Sequence, residues 1–580
     1  MSIKNAFFGC IYGVLTRVTI LSLFFHPFYG GGIQYPNFMV LVPALNIFGA
    51  MKKHTTTLLV LFLSCCAGLL SLGASAQKAN WHNLDLKTDS VFGISTEKAY
   101  QELLGHKKAK TVVVAVIDGG VDTAHEDLKS VIWINPKEKP GNGKDDDHNG
   151  HVDDMHGWDF IGGPKGDVNY DNLEMVRILR RDKPRFDSLT DATVSPNDKA
   201  AWDAYRKMDS EYTKSLENAK NTLQGINGFK NILDGVLTKI GKDSPTLADF
   251  EKFQPQGPAE THIRKVVLSE LKRDPDFQKF KEDELGGAIK HFQTQVDYQY
   301  NLAFDPRPII GDDYNNPEEH NYGNSDVTGP NADHGTHVSG IIGAVRDNAI
   351  GIKGVADHVR IMAIRVVPDG DERDKDVANG IRYAADNGAK VINMSFGKGY
   401  SWNKKVVDDA VKYALSKDVL LVHAAGNDGK DLGKESNYPT RVYEEGGIAD
   451  AWIEVGASGP DDDSTLAASF SNYGKTQVDV FAPGVAIYST TPGSKYANHD
   501  GTSMASPVVA GLAALIREYY PKLKAVQVKD IIMRSVVKPT HTVTINVDGA
   551  SRQVQMSELC ISGGVVNAYQ ALLMAQTYKK

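Results

Sequence analysis

Apolar residues are distributed along this 580-residue chain in distinct rhythms. Residues 111–117 form a short, continuous β-branched run without the apolar–polar alternation of a half-exposed strand, which predicts a central parallel strand buried on both faces. Residues 389–394 and 419–425 predict two more strands of the same sheet, ending in Ser395-Phe396-Gly397 and Gly426-Asn427-Asp428. Gly340, Gly343 and Ala344, and then Ala510, Gly511, Ala513 and Ala514, mark two small-residue segments that predict thin, closely packed helices. Pro507 is expected in the first turn of the second helix, where a missing N–H costs nothing. Residues 172–300 have a different texture, with apolar positions such as Trp202, Tyr205 and Met208 recurring at helical spacing among charges. That predicts an inserted, mainly helical subdomain, divided into several helices by Gly225, Gly228, Gly241 and Pro245. Strands alternating with helices predict an α/β fold: a mostly parallel central sheet with helices on both faces.

The polar residues at the ends of these runs carry chemistry. Asp118 follows the first run and precedes Gly119 and Gly120. Asp333-His334-Gly335-Thr336-His337 opens one small-residue helix, and Gly501-Thr502-Ser503-Met504-Ala505-Ser506-Pro507 opens the other. A serine hydroxyl becomes a nucleophile when an imidazole takes its proton, and that imidazole is oriented by a carboxylate. The order Asp, His, Ser is not that of the α/β-hydrolases, and Ala505 stands where their Gly-x-Ser-x-Gly elbow needs glycine. Taken singly, an aspartate after a strand reads as a turn residue and the two histidines as a metal pair. The three blocks in this order outweigh both readings. The chain resembles the subtilisin-like serine peptidases over about residues 105–135 and 305–575.

The resemblance implies a three-layer subtilisin-like fold and a serine endopeptidase acting on proteins or peptides without a catalytic cofactor. Ser503 would attack the carbonyl, His334 would move the proton and Asp118 would hold the imidazole. Asn427, in Ala424-Ala425-Gly426-Asn427, would bind the oxyanion together with the Ser503 backbone N–H. Ser395, Phe396 and Gly397, with Ala424, Ala425 and Gly426, would flank an extended substrate and pair with it as added strands. Asp127, with Asp347 and Asn348, matches a structural calcium position of the family. The rival expectation is a non-catalytic binding or adhesion module on the same scaffold, for which an intact set of four catalytic groups has no use.

A further motif stands apart from the resemblance. Asp145, Asp147, Asn149 and Gly150 match positions 1, 3, 5 and 6 of an EF-hand-like calcium loop. His156 occupies position 12, where a closing glutamate belongs, leaving Asp153 or Asp154 to substitute. The alternatives are a solvated acidic turn, or a transition-metal site drawing on His148, His151 and His156.

Net charge −8 without basic runs argues against a nucleic-acid partner. Met51-Lys52-Lys53, an apolar stretch over 57–72 and Ala74-Ser75-Ala76 before Gln77 predict a signal peptide at 51–76. The exported form is expected to be a monomer without a transmembrane segment, extracellular or periplasmic. A lipoprotein anchored at Cys65 or Cys66 is disfavoured because no good lipobox precedes either cysteine. Residues 1–50 read as an over-extended start ahead of Met51, or else as a long leader. With Cys10, Cys65 and Cys66 in this region, only Cys560 remains and no intramolecular disulfide is expected.

The expected layout is then an amino-terminal segment at 77–110, a first peptidase part at 111–171, the helical insertion at 172–300 and the remaining peptidase part at 301–575. About 35 residues before the first strand are too few for the family's separate inhibitory domain. About 215 residues separate Asp118 from His334, more than the family typically has. The insertion is expected either to restrain access to the site or to be a surface elaboration.

Overall fold

The structure, a computed structural model, describes residues 78–578 except His106 and Asp548. The leader expectations, Cys65 and Cys66 included, lie outside these residues. The centre is a seven-stranded sheet: β1 (Val112–Asp118), β2 (Gly157–Asp159), β3 (Val359–Arg365), β4 (Val391–Met394), β5 (Leu420–Ala424), β6 (Trp452–Ser458) and β7 (Val480–Pro483). Their order is β2-β3-β1-β4-β5-β6-β7, and every neighbouring pair is parallel.

Among the described residues, ten helices of eight residues or more accompany the sheet. The expected insertion contains α1 (Glu174–Phe186), α2 (Lys199–Ile240), α3 (Pro258–Arg273) and α4 (Gly287–Thr294). Then follow α5 (Asp333–Gly343), α6 (Asp374–Asp386), α7 (Lys404–Ser416), α8 (Thr502–Tyr519), α9 (Ala525–Arg534) and α10 (Ala568–Thr577). Successive side chains of a strand point to opposite faces, and β1 feeds two cores accordingly. Val112, Val114 and Val116 pack into one with α5 and α8 (Val338, Ile341, Val508, Leu512), whereas Ala115 and Ile117 join the other with α6 and α7 (Ile381, Val411). The continuous apolar runs are therefore buried on both faces, and the fold is α/β with helices on both sides of a parallel sheet.

The small-residue helices are thin because their neighbours leave no room. A Cβ on Gly511 would lie 2.7 Å from Val355 Cβ, and one on Gly340 would lie 2.3 Å from Thr490 Oγ1. Pro507 lies in the second turn of α8, not the first. It cannot donate to the Ser503 carbonyl four residues back, and the Ser395 hydroxyl donates there instead, at 3.0 Å.

The insertion corrects one expectation. Gly225 and Gly228 do not divide it: α2 runs 42 residues through both and ends only at Gly241, with φ 73°. Each helical glycine costs about 1 kcal/mol relative to alanine. Packing of α2 on α3 and α4, with Ile226, Leu233 and Val236 buried, outweighs that cost. Before β1, Trp81, Ile94 and Leu104 are buried in the main core, and the Trp81 indole donates to the Val485 carbonyl at 3.1 Å. No helix among the described residues is long and apolar enough to cross a membrane.

Candidate active site

β1 lies between β3 and β4, so its carboxyl end opens at the point where strand order reverses, the place where α/β sheets gather functional groups. Asp118 is the last residue of β1 and is buried. Its Oδ1 accepts from the Gly119 N–H at 2.7 Å and faces His334 Nδ1 at 2.8 Å, while Oδ2 lies 3.0 Å from the same nitrogen. The turn after Asp118 is held from below, where the buried Arg365 guanidinium donates to the Gly119 carbonyl at 2.9 Å. Glycines let α5 close onto this turn. A Cβ on Gly335 would sit 2.2 Å from the Gly120 carbonyl oxygen and 3.1 Å from Asp118 Cβ.

Burial works against a charged His334 ring, but the Asp118 carboxylate overrides it and, helped by Asp333, holds the imidazole above its ordinary 6.5. The second histidine of the motif goes elsewhere. His337 is buried, its Nε2 is 3.1 Å from the Ala497 carbonyl, and its ring stacks on His499 at 4.1 Å. Burial, reinforced by His499, keeps His337 well below the usual histidine range. The histidine pair is therefore split between two environments and does not form a metal site.

Ser503 is the second residue of α8, whose free amino-terminal N–H groups favour a developing negative charge. Its Oγ donates to the Ser395 carbonyl at 3.0 Å. Ser395 Oγ, in turn, lies 2.8 Å from Ser506 Oγ and accepts from Asn393 Nδ2 at 2.9 Å, so the residue after β4 is tied to the floor of α8. Asn427 lies beyond the end of β5. Its Oδ1 accepts from the Thr502 N–H at 2.8 Å and the Thr502 hydroxyl at 3.0 Å. Because that oxygen is held twice, Nδ2 is the end of the amide left to donate. Gly426, with φ 100°, donates its N–H to Thr502 Oγ1 at 3.0 Å, completing a small frame around Asn427.

Several residues of the site carry no motif of their own. Thr502 orients Asn427. Asn472 donates to the Ala425 carbonyl at 2.9 Å and accepts from the Asp428 and Lys430 N–H groups. Asn437 reaches both flanking segments: its Nδ2 donates to the Ala424 carbonyl at 3.0 Å, and a Cβ on Gly397 would meet its Oδ1 at 2.3 Å. Phe396 is buried beside His423. Phe396 was expected from its segment and Thr502 stands next to Ser503, whereas Asn472 and Asn437 had no sequence signal.

The expected calcium positions divide. Asp127 is fully buried and accepts from Asn348 Nδ2 at 2.6 Å and the Ile352 N–H at 3.2 Å; Asp347 is not among its hydrogen-bond partners. Asp145 and Asp147 lie together, but Asn149 turns its oxygen to the His151 N–H at 2.8 Å and its Nδ2 to Asp154 at 2.9 Å. Neither expected substitute closes the loop: Asp153 accepts from the Asn142 and Gly143 N–H groups, and Asp154 from Asn135 and Tyr383. The third carboxylate of the cluster comes from upstream, from Glu138.

The chain is similar to known serine proteinases. A serine proteinase described as thermophilic, from Bacillus sp. (strain AK1), is 42% identical over 232 residues, which is 40% of this chain and 52% of that protein. Subtilisin DY of Bacillus licheniformis is 42% identical over 199 residues, 34% of this chain and 68% of its own. Thermitase of Thermoactinomyces vulgaris is 46% identical over 184 residues, 32% of this chain and 60% of its own. The chain thus spans about half to two thirds of the length of these relatives. The family model described as Peptidase S8, subtilase family, matches residues 109–554, and the chain belongs to the subtilase family.

Proposed function

We propose that this protein is a secreted serine endopeptidase that cleaves peptide bonds through an acyl-enzyme. The observation that carries the reading is the hold of Asp118 on His334 Nδ1, at 2.8 and 3.0 Å, which leaves Nε2 as the nitrogen that exchanges protons. The reading requires the Ser503 hydroxyl to leave the Ser395 carbonyl, to which it donates at 3.0 Å, and turn to that nitrogen. Ser503 Oγ then attacks the scissile carbonyl while His334 takes the proton. The tetrahedral oxyanion is met by Asn427 Nδ2 and the Ser503 N–H at the start of α8. His334 returns the proton to the leaving amine, and water repeats the sequence on the ester. The segments at 395–397 and 424–426 hold the substrate backbone, which makes proteins and peptides the substrate class.

A structural calcium at Asp127 belongs to the same reading. Asn348 Oδ1 accepts from the Ile350 N–H at 3.2 Å, so the ion would require the amide to turn its oxygen toward Asp127. Export rests on the signal-like segment before Gln77. Amino-terminal sequencing of protein from the culture medium or periplasm is expected to read Gln77 or a later residue, and peptides from residues 1–50 would contradict it.

The test of the catalytic reading is a fluorophosphonate probe. The protein should be labelled and should cleave peptides, and Ser503→Ala should lose both, with turnover down by about 10⁶. Retained hydrolysis by folded Ser503→Ala protein would refute it.

A further inference from the structure

We infer that the segment between β1 and β2 holds a divalent cation of the calcium class, bound by Glu138, Asp145 and Asp147. One oxygen from each of these carboxylates lies within 4.8 Å of the others. Glu138 is the informative member because it is only 7% exposed. Its Oε1 accepts the Asp146 and Asp147 N–H groups at 2.8 and 3.1 Å, which fixes the carboxylate under the loop. Its Oε2 is buried and has no hydrogen-bond partner. A buried carboxylate oxygen without a partner is costly, and ordered waters or ions are what normally relieve it.

The surrounding charges point the same way. Asp145 is held by the Asn149 and Gly150 N–H groups at 3.1 and 2.8 Å, and Asp147 by the Asn149 N–H at 3.2 Å. These backbone bonds orient both carboxylates without neutralising them. The ion pair recorded there is Lys137 with Asp147 at 3.8 Å, from a lysine side chain that is 63% exposed. Three carboxylates at this spacing repel one another strongly in a partly buried site. A cation relieves the repulsion and supplies the missing partner of Glu138 Oε2.

The donor set selects the ion. Carboxylate oxygens on an irregular loop suit a hard cation that tolerates variable coordination, which describes calcium better than magnesium. His151 does not join: its ring is buried against Trp158, and burial lowers it to about 4. The site is also tied to the body of the fold. Asn135 and Asn149 both donate to Asp154, which accepts the Tyr383 hydroxyl of α6 at 2.6 Å. Ion binding here fastens the loop that leads into β2 and the insertion.

The test uses the full chain carrying Ser503→Ala, so that neither self-digestion nor the outcome for catalysis enters. After stripping with EDTA, calcium chloride is titrated calorimetrically and Tm is recorded, with magnesium chloride as the comparison. Adding Glu138→Gln is expected to remove one bound calcium and shrink the calcium-dependent rise in Tm, whereas Asp127→Asn should leave that calcium in place. Should Glu138→Gln fail to fold, terbium soaked into crystals of the Ser503→Ala chain locates the ion. It should lie about 2.3–2.6 Å from oxygens of Glu138, Asp145 and Asp147. Unchanged calcium stoichiometry and affinity in Glu138→Gln, or no terbium at this loop, would overturn the inference.

Discussion

Two carboxylate oxygens on one imidazole nitrogen give His334 a measurable signature. The proposed mechanism needs the ring neutral, and Asp118 holds its titration above 6.5 against the effect of burial. Activity should therefore fall on the acid side, with a kcat/KM midpoint above 6.5. In Asp118→Asn the pull is gone and burial remains, so the midpoint should move down while kcat drops by about 10⁴. A midpoint below 6.5 in the unaltered protein would contradict this account. Asn437 makes a second prediction. Its amide bridges the ends of the two flanking segments and packs against Gly397. It therefore limits the space expected to receive the residue before the scissile bond. Asn437→Gly should raise kcat/KM for aromatic over small residues at that position by about 10-fold or more. An unchanged ratio across a chromogenic peptide series would remove Asn437 from specificity.

The insertion is wired to the cleft by buried charge. Glu174 and Arg177 of α1 are paired at 2.5 Å, and Glu174 also meets Lys398 at 2.8 Å, all three buried. Lys398 directly follows Gly397 and pairs with Asp374 of α6 at 2.7 Å. Removing one partner of such a buried pair costs about 3–5 kcal/mol, so α1 is held firmly against the segment that follows β4. Farther out, Tyr400 donates to Glu211 of α2 at 2.7 Å, and Tyr400 and Trp402 pack on the apolar cluster of α1 and α2. The helical segment thus meets the chain just beyond the proposed substrate segment 395–397, and a gate at that place would obstruct a folded substrate more than a short peptide. Replacing residues 216–295 with a short Gly/Ser linker keeps the buried anchor. It should raise kcat/KM for casein relative to a small chromogenic peptide; an equal ratio before and after trimming would make the insertion an elaboration without a gating role. This coupling was invisible in the sequence because Glu174 and Lys398 are about 220 residues apart and only the fold joins them. The length of α2 was misread for a related reason: its glycines speak locally, whereas packing on α3 and α4 decides.

Across the whole molecule, legibility followed the range of the interactions. The two-sided burial of β1, the small-residue helices and the positions of Asp118, His334 and Ser503 follow from short patterns that each specify their own surroundings. Asn427 was legible as a residue but not as an oriented donor, because Thr502 fixes it from 75 positions away. Glu138 escaped for the same reason, since a loop motif read forward from Asp145 does not look back to a carboxylate already passed. Pro507 was placed one turn early because its lost hydrogen bond is replaced by Ser395, on another element. What unites these pieces is the claim that Ser503, His334, Asp118 and Asn427 act as one catalytic unit. Active-site titration of the purified chain with a fluorophosphonate, followed by mass spectrometry, tests it most directly. The account predicts close to one label per active molecule, carried on the peptide containing Ser503 and lost from both Ser503→Ala and His334→Ala. Peptide hydrolysis that persists without labelling, or a label on any other residue, would contradict it.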